Sequence, residues 1–312
     1  MTRAGSVLVV TLVALGTAGI LLMTSSALAR VRLQRAEQVL SGALMQIALA
    51  DAALEALHTL AASPGETEAG QEGLPLEERA YRRPDGLAIR VHIRDGNRYF
   101  DLNNLTATGA LTRPVAAVVT DLLRACAHPT PEAHVAAMQA WLDAPDAADN
   151  NEGPGATVRP FYSLAEWVQV PGYVSFDPAD FDPRPAPLDE TFIMTPGTRA
   201  APVPVNVNTA PEHVLMAVAG GDLSAEMREL RAWREREPIT SMEMILQQRG
   251  MARLRQIEPY LAVESSHFEI LVHGRRPDGS EERLWVAAGR QPGGPLEVWR
   301  WIYGPLDYGE RP

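Results

Sequence analysis

A single cysteine, Cys126, stands in 312 residues, which excludes an intrachain disulfide and a cysteine-built metal cluster. It lies in the mostly apolar stretch 115–127, where a lone thiol reads as a small core residue. The chain also lacks the short patterns that catalysis leaves: there is no H-E-x-x-H, G-x-S-x-G, P-loop or Rossmann fingerprint. Its seven histidines form no close metal pair, so enzyme function is not expected. Positive charge is in deficit, with 28 Lys+Arg against 39 Asp+Glu, a net −11. That balance repels phosphate backbones, and nucleic acid is not an expected partner. Proline is absent between Met1 and Ser63, although the chain holds 25 prolines in all.

What fills the proline-free stretch is apolar. Residues 6–28, SVLVVTLVALGTAGILLMTSSAL, carry no charge and are long enough to cross a hydrocarbon core at about 1.5 Å per residue. Arg3 precedes the run, and Arg30, Arg32 and Arg35 follow it. From Val31 onward Leu33, Ala36, Val39, Leu40, Leu44, Ile47, Ala48, Ala52, Leu54 and Leu57 recur mostly at spacings of three and four, an amphipathic stripe. The pattern predicts one long helix, apolar all round at its start and one-sided afterwards. Two plainer readings of this segment stand beside a specialised one. It can be an ordinary single-pass anchor, or a secretory signal peptide cut at Ala27-Leu28-Ala29.

Downstream, residues 63–78 are polar and contain proline and glycine, so they read as a loop. Residues 88–93, then Asp95-Gly96-Asn97, then residues 98–101 read as a β-hairpin turned at Asp-Gly. At the other end, residues 267–273, 282–288 and 296–303 read as three strands joined by proline- and glycine-containing turns. Between them the signal is helical, over 113–127, 131–142, 163–168, 210–219, 224–236 and 241–248. The expected architecture is α+β: a long N-terminal helix on a small antiparallel sheet, with a large all-α domain inserted. The expected boundaries are 6–62 for the helix, 63–104 with 262–312 for the sheet head, and 105–261 for the insertion.

Four motifs carry a family resemblance: FDLNNL at 100–105, WLD at 141–143, SLAEW at 163–167 and VNVNTAP at 205–211. In that order, behind such an N-terminus, they resemble the minor pseudopilin K family of type II secretion from end to end. Residues 1–5, MTRAG, are similar to the basic, glycine-ended leader of type IV prepilins. The resemblance implies cleavage between Gly5 and Ser6, methylation of the new terminus, and a pilin-like head. Most pilins hold glutamate at the fifth mature position; here it is Val10, as in this family. The resemblance further implies a non-enzymatic subunit that caps a short periplasmic filament and initiates its assembly. Its implied location is the inner membrane, spanned once by residues 6–28, with the globular part in the periplasm. Its implied partners are the minor pseudopilins I and J, the other pseudopilins and the inner-membrane assembly platform. From the residues themselves, Asn206, Asn208 and Thr209 read as caps, Pro211 as a first-turn proline, and Asn103 and Asn104 as turn formers.

Residues 206–245 are also similar to helix-hairpin-helix units of DNA-binding proteins. The alternative function is therefore a membrane-anchored DNA-uptake protein. Its hairpin, Ala219-Gly-Gly-Asp-Leu223, carries an acid, and the next helix mixes Glu226, Glu229, Glu235 and Glu237 with four arginines, which reads as a solvated face.

Finally, Asp143, Asp146, Asp149, Asn150, Asn151 and Glu152 fall within ten residues of one another. Hard oxygen ligands at short spacing suit Ca²⁺, although the spacing is not that of an EF-hand. The family resemblance implies calcium in the inserted domain, with Asp143, Asp146, Asp149, Asn150 and Glu152 as the candidate ligands. Asp177, Asp180 and Asp182 form a second candidate group.

Overall fold

The computed structural model describes residues 3–62, 79–107, 111–143, 160–161, 164–171, 191–195, 201–290 and 294–304. The chain divides into two compact units, Met1–Asp51 and Ala52–Pro312. Helix α1 (Arg3–Ala62) supplies all of the described part of the first unit and the opening of the second.

In the second unit, chain order gives β1 (Arg79–Arg82), β2 (Ala88–Asp95), β3 (Phe100–Asp101), α2 (Val115–Ala125), α3 (Pro131–Leu142), β4 (Phe192–Ile193) and β5 (Val205–Asn206). There follow α4 (Glu212–Ala219), α5 (Ser224–Arg234), α6 (Met242–Gln247), β6 (Leu261–Ala262), β7 (His267–Arg275), β8 (Glu281–Arg290) and β9 (Leu296–Tyr303). Five strands form one antiparallel sheet in the order β1-β2-β7-β8-β9, so it is built from both ends of the unit. The helices lie between in sequence. Two small parallel pairs, β3-β4 and β5-β6, occur among them.

The hairpin expected at Asp95-Gly96-Asn97 does not form. Residues 96–98 make a 3-10 turn, and Phe100-Asp101 leaves the sheet to pair in parallel with Phe192-Ile193. The Asp95 carboxylate explains the change: its Oδ1 accepts from the Asn97 backbone N–H at 2.7 Å, capping a helical turn where a two-residue β-turn was expected. Strand β2 instead pairs with β1 and with β7.

One face of the sheet is a core. Ile89, Val91, Ile93, Ile270, Val272, Leu284, Val286 and Ala288 alternate with outward residues and are buried. Ala52, Ala53, Ala56, Leu57 and Leu60, on the last turns of α1, are buried too. Arg290 Nη2 on β8 donates to the Leu60 carbonyl at 2.8 Å, tying that helix end to the sheet. Each fully buried aliphatic side chain contributes about 1.5–3 kcal/mol. Gly289 is required by a close approach, because a Cβ there would fall inside the Trp299 indole. Trp299 is the extra residue of a β-bulge, opposite the step from Ala287 to Ala288.

A second core holds the helices together. Val118, Leu122 and Leu123 of α2, Val135 and Met138 of α3, Val214 and Val218 of α4, and Met227 and Leu230 of α5 are buried in one cluster with Phe100 and Tyr260. Cys126 is fully buried there as expected, its Sγ 3.4 Å from Thr191 Oγ1. Between α4 and α5 the turn depends on Gly220, whose φ of +68° suits glycine and whose missing Cβ leaves room for the Arg113 guanidinium.

Candidate interaction site

Two features of opposite character stand out: buried asparagines that clamp the backbone, and an apolar helix face open to its surroundings.

The asparagines of the motifs act at long range. Asn103 Oδ1 accepts from the Phe161 N–H at 2.7 Å, and its Nδ2 donates to the Phe161 carbonyl at 2.9 Å and the Thr195 carbonyl at 2.7 Å. Asn104 makes the same two-point contact with Val203, at 2.6 and 3.1 Å. Asn208 makes it with Ile239, accepting at 3.0 Å and donating at 2.9 Å, and donates also to Val263. In each case a side-chain amide pairs with both polar groups of one distant residue, as a neighbouring β-strand would. Asn103 and Asn104 are fully buried, so these bonds satisfy groups that have no access to water. The capping and turn roles expected for them are a minor part of what they do.

Asp95 organises a second network. It accepts from Asn97 N, from the Asn206 amide at 3.1 Å and from the Thr209 hydroxyl. Burial pushes its carboxyl up from the ordinary range, while bonds from Ser265, Thr209, Asn97 and Asn206 pull it back. Asn97 Oδ1 accepts from the Ser266 and His267 N–H groups at 2.8 and 2.9 Å, and its Nδ2 donates to Pro204 at 2.7 Å. The VNVNTAP motif is thereby fastened to the ends of β2 and β7. Sequence reasoning missed Asp95, Asn97 and Ser265. Their signal was present, but Asp-Gly-Asn reads first as a turn.

The second feature is on α1. Leu12, Leu15, Ile20, Leu21, Leu22 and Met23 are each more than 60% exposed. From Thr11 to Ala62 the helix contains an 18-residue window of mean hydropathy 1.8, none of it buried, long and apolar enough to cross a membrane. Further along, the expected stripe resolves into two. Ala52 and Leu57 belong to the buried face, whereas Leu33, Leu40, Ile47 and Leu54 are 56–61% exposed. These four stand seven apart, and Ala36, Ala43 and Ala50 interleave at three and four. That is the a/d spacing of a coiled-coil seam, which a scan at period 3.5 would have found.

Gly5 and Ser6 lie within α1, which runs without interruption through Ala27–Ala29. Of the candidate calcium ligands, Asp143 caps the C-terminus of α3, its N–H bonded to the Gln139 carbonyl. Asp146, Asp149, Asn150 and Glu152 lie outside the described residues, as do Asp177, Asp180 and Asp182. The chemistry of the donor set, carboxylate and amide oxygen, suits a hard cation. Among the described residues no group of three or more His, Cys, Asp or Glu is placed to hold a metal.

In the helix-hairpin-helix-like segment several arginines are engaged by protein groups. Arg231 pairs with Glu212 and Glu235, and Arg253 with Glu226. Arg234 donates to the Val207 and Ala210 carbonyls at 2.7 Å each. A buried aromatic stack was not foreseen. His134 lies 4.7 Å from His128 and 5.4 Å from Trp167, and burial, then His128, lowers its pKa to about 4. Burial lowers His128 as well. Periodicity on α3 could have marked His134 as inward-facing, but not its partners.

Residues 205–264 match the family model described as type II secretion system (T2SS), protein K. That span opens on VNVNTAP and closes beside Ser265, so it covers the segment clamped to β2 and β7. No curated protein matches the chain. Among solved structures, the chain is similar to one in the crystal structure of the GspK-GspI-GspJ complex from the enterotoxigenic Escherichia coli type 2 secretion system. The two share 18% identity at a TM-score of 0.60, over 88% of this chain and 99% of that one, a likeness of fold.

Proposed function

Because residues 205–264 match the model of the type II secretion system protein K family, we propose that the chain is a member of that family, the minor pseudopilin at the tip of a secretion pseudopilus, where it initiates assembly and aids protein export. The observation that carries this reading is the exposed seam Leu33, Leu40, Ile47 and Leu54 on α1. A helix that shows a 3.5-residue apolar repeat to solvent is built to take other helices along its length. Minor pseudopilins I and J are the proposed occupants, docked side by side on that seam. Residues 6–28 hold the subunit in the inner membrane before assembly, with residues 63–312 in the periplasm. The helical segment 105–261 is an insertion in a pilin-like head, and its bulk suits a filament end better than a shaft. The subunit is structural and carries no catalysis of its own.

Cleavage between Gly5 and Ser6 is part of the same reading. The test is the mature N-terminus, read by mass spectrometry after expression beside a prepilin peptidase. A terminus at Ser6, with α1 retained, is the expected result. A terminus at Arg30 would mean release by signal peptidase, and the tip-subunit reading would fall. Calcium belongs to the proposal through Asp143, Asp146, Asp149, Asn150 and Glu152, which would supply hard oxygens at the end of α3. Titration of the full chain in detergent with Ca²⁺ should release heat, and that heat should vanish in the Asp146→Asn, Asp149→Asn double variant. Silence of the native chain would remove calcium and leave the pilin reading standing.

A further inference from the structure

The outward face of the five-stranded sheet has the opposite charge from the molecule as a whole. Side chains that alternate with the buried ones on β2 are Ala88, Arg90, His92 and Arg94. Register then sets neighbours across the strands. Arg90 faces His273, which faces Arg283, and Arg82 lies across from Ala88, which faces Arg275. The open part of the face thus gathers Arg82, Arg90, Arg94, Arg275 and Arg283 on a chain whose net charge is −11. The one acid opposite them in that register at the open end is Glu281, already shared by Arg275 and His273. Glu269, across from Arg94, is buried. Arg82 and Arg90 are exposed and Arg94 half-buried, and among the described residues none of the three makes an ion pair.

Along each row the arginines stand two strands apart, Arg82 from Arg275 across Ala88 and Arg90 from Arg283 across His273, roughly 10 Å at the backbone. The basic groups are also all of one kind. The chain has no lysine, and each of its 28 basic residues is an arginine, whose planar fork pairs with a carboxylate through two parallel bonds. Strand geometry fixes Arg90 and His92 roughly 7 Å apart, and neighbouring strands lie about 4.8 Å apart. The face is therefore a rigid grid of donors a few residues wide.

We propose that this face docks an acidic protein segment, its Glu and Asp carboxylates held by Arg82, Arg90 and the neighbouring arginines. The extent of the grid favours a short polypeptide over a larger polyanion. Charges act over about 8 Å at physiological ionic strength, so a compact segment meets the basic patch and little else. A membrane surface or a nucleic-acid duplex reaches beyond the patch onto a molecule that is acidic elsewhere, and is repelled there. The face shares no residue with the seam on α1, so an acidic partner would be bound in addition to the neighbouring pseudopilins.

The experiment uses the full chain in non-ionic detergent and a fluorescein-labelled peptide of alternating glutamate and glycine, read by anisotropy. Binding should weaken about tenfold when salt is raised from about 50 to about 300 mM. The R82Q/R90Q variant should bind about fivefold more weakly, and R82E/R90E should not bind measurably, each with an unchanged thermal midpoint. No binding by the native chain would overturn the proposal, as would undiminished binding by folded R82E/R90E. Tighter binding to an oligonucleotide of equal charge, or to phosphatidylglycerol vesicles, with the same dependence on Arg82 and Arg90, would also overturn it.

Discussion

The first half of α1 and the asparagine clamps of the second unit distribute polarity in opposite ways. From Thr11 to Leu40 the helix turns large apolar side chains outward, with Leu15 at 72% and Met23 at 75% exposed. In the second unit Asn103, Asn104 and Asn206 are fully buried, and their side-chain amides bond to backbone and side-chain groups of the protein. An α-helix satisfies its own backbone bonds, so such a segment needs no protein around it and can be given over to lipid or to other helices. Residues 160–161, 191–195 and 201–207 have few strand partners to pair with. Their N–H and C=O groups find side-chain amides instead, which stand in for the missing ladder. The contrast teaches that each polar or apolar excess answers what the local backbone already has.

The largest test of this contrast is Asn103→Asp. The change is isosteric but removes both donors and places a carboxylate against the Phe161 and Thr195 carbonyls, so it should cost about 4 kcal/mol. Urea denaturation of the detergent-solubilised chain measures it, and a loss below about 1 kcal/mol would show the clamp to be incidental. The counterpart in the first unit is Leu15→Arg. It should cost about 3 kcal/mol of membrane insertion, seen as protein lost from the alkali-washed membrane fraction, with unfolding of the second unit unchanged.

Gly289→Ala sharpens the comparison within the sheet. The new methyl group must displace the Trp299 indole, at about 2 kcal/mol, and near-ultraviolet circular dichroism should report the moved ring. The smallest effect comes from acid. His134 has a folded pKa of about 4 against an ordinary value near 6.5, so the folded state binds its proton less well than the unfolded chain does. The stability tied to neutral His134 is complete above about 6.5 and is lost as pH falls towards about 4, by about 1–2 kcal/mol. His128 and His213 push in the same direction, since burial lowers both. His134→Phe should flatten the slope of the urea midpoint against pH, and the clamps should be indifferent to it.

Much of the fold could be read before it was seen. Helix α3 occupies Pro131–Leu142 as expected, because proline at its first turn and an inward row of His134, Val135, Met138 and Leu142 mark both its start and its face. Strand β9 spans the expected residues 296–303. The error fell at Asp95-Gly96-Asn97, where a strong local turn signal lost to a side-chain cap and to pairing with residues almost a hundred positions away. The site was legible as motifs and not as contacts. The asparagines drew notice as local turn formers, while Phe161, Val203 and Ile239, whose backbones they hold, carry no mark in the sequence.

The sequence by itself determined the elements whose physics is local: an uncharged run long enough to span a bilayer, helices set by apolar period, strands set by alternation, and a net acidic charge. Tertiary structure alone decided which faces of α1 are open, which arginines gather on the sheet, and where the buried amides point. Those outcomes depend on register and on pairings separated by 58 to 99 residues, as between Asn103 and Phe161 or Asn104 and Val203. No local preference encodes such a pairing, because a side-chain amide can serve any backbone that the fold brings within reach.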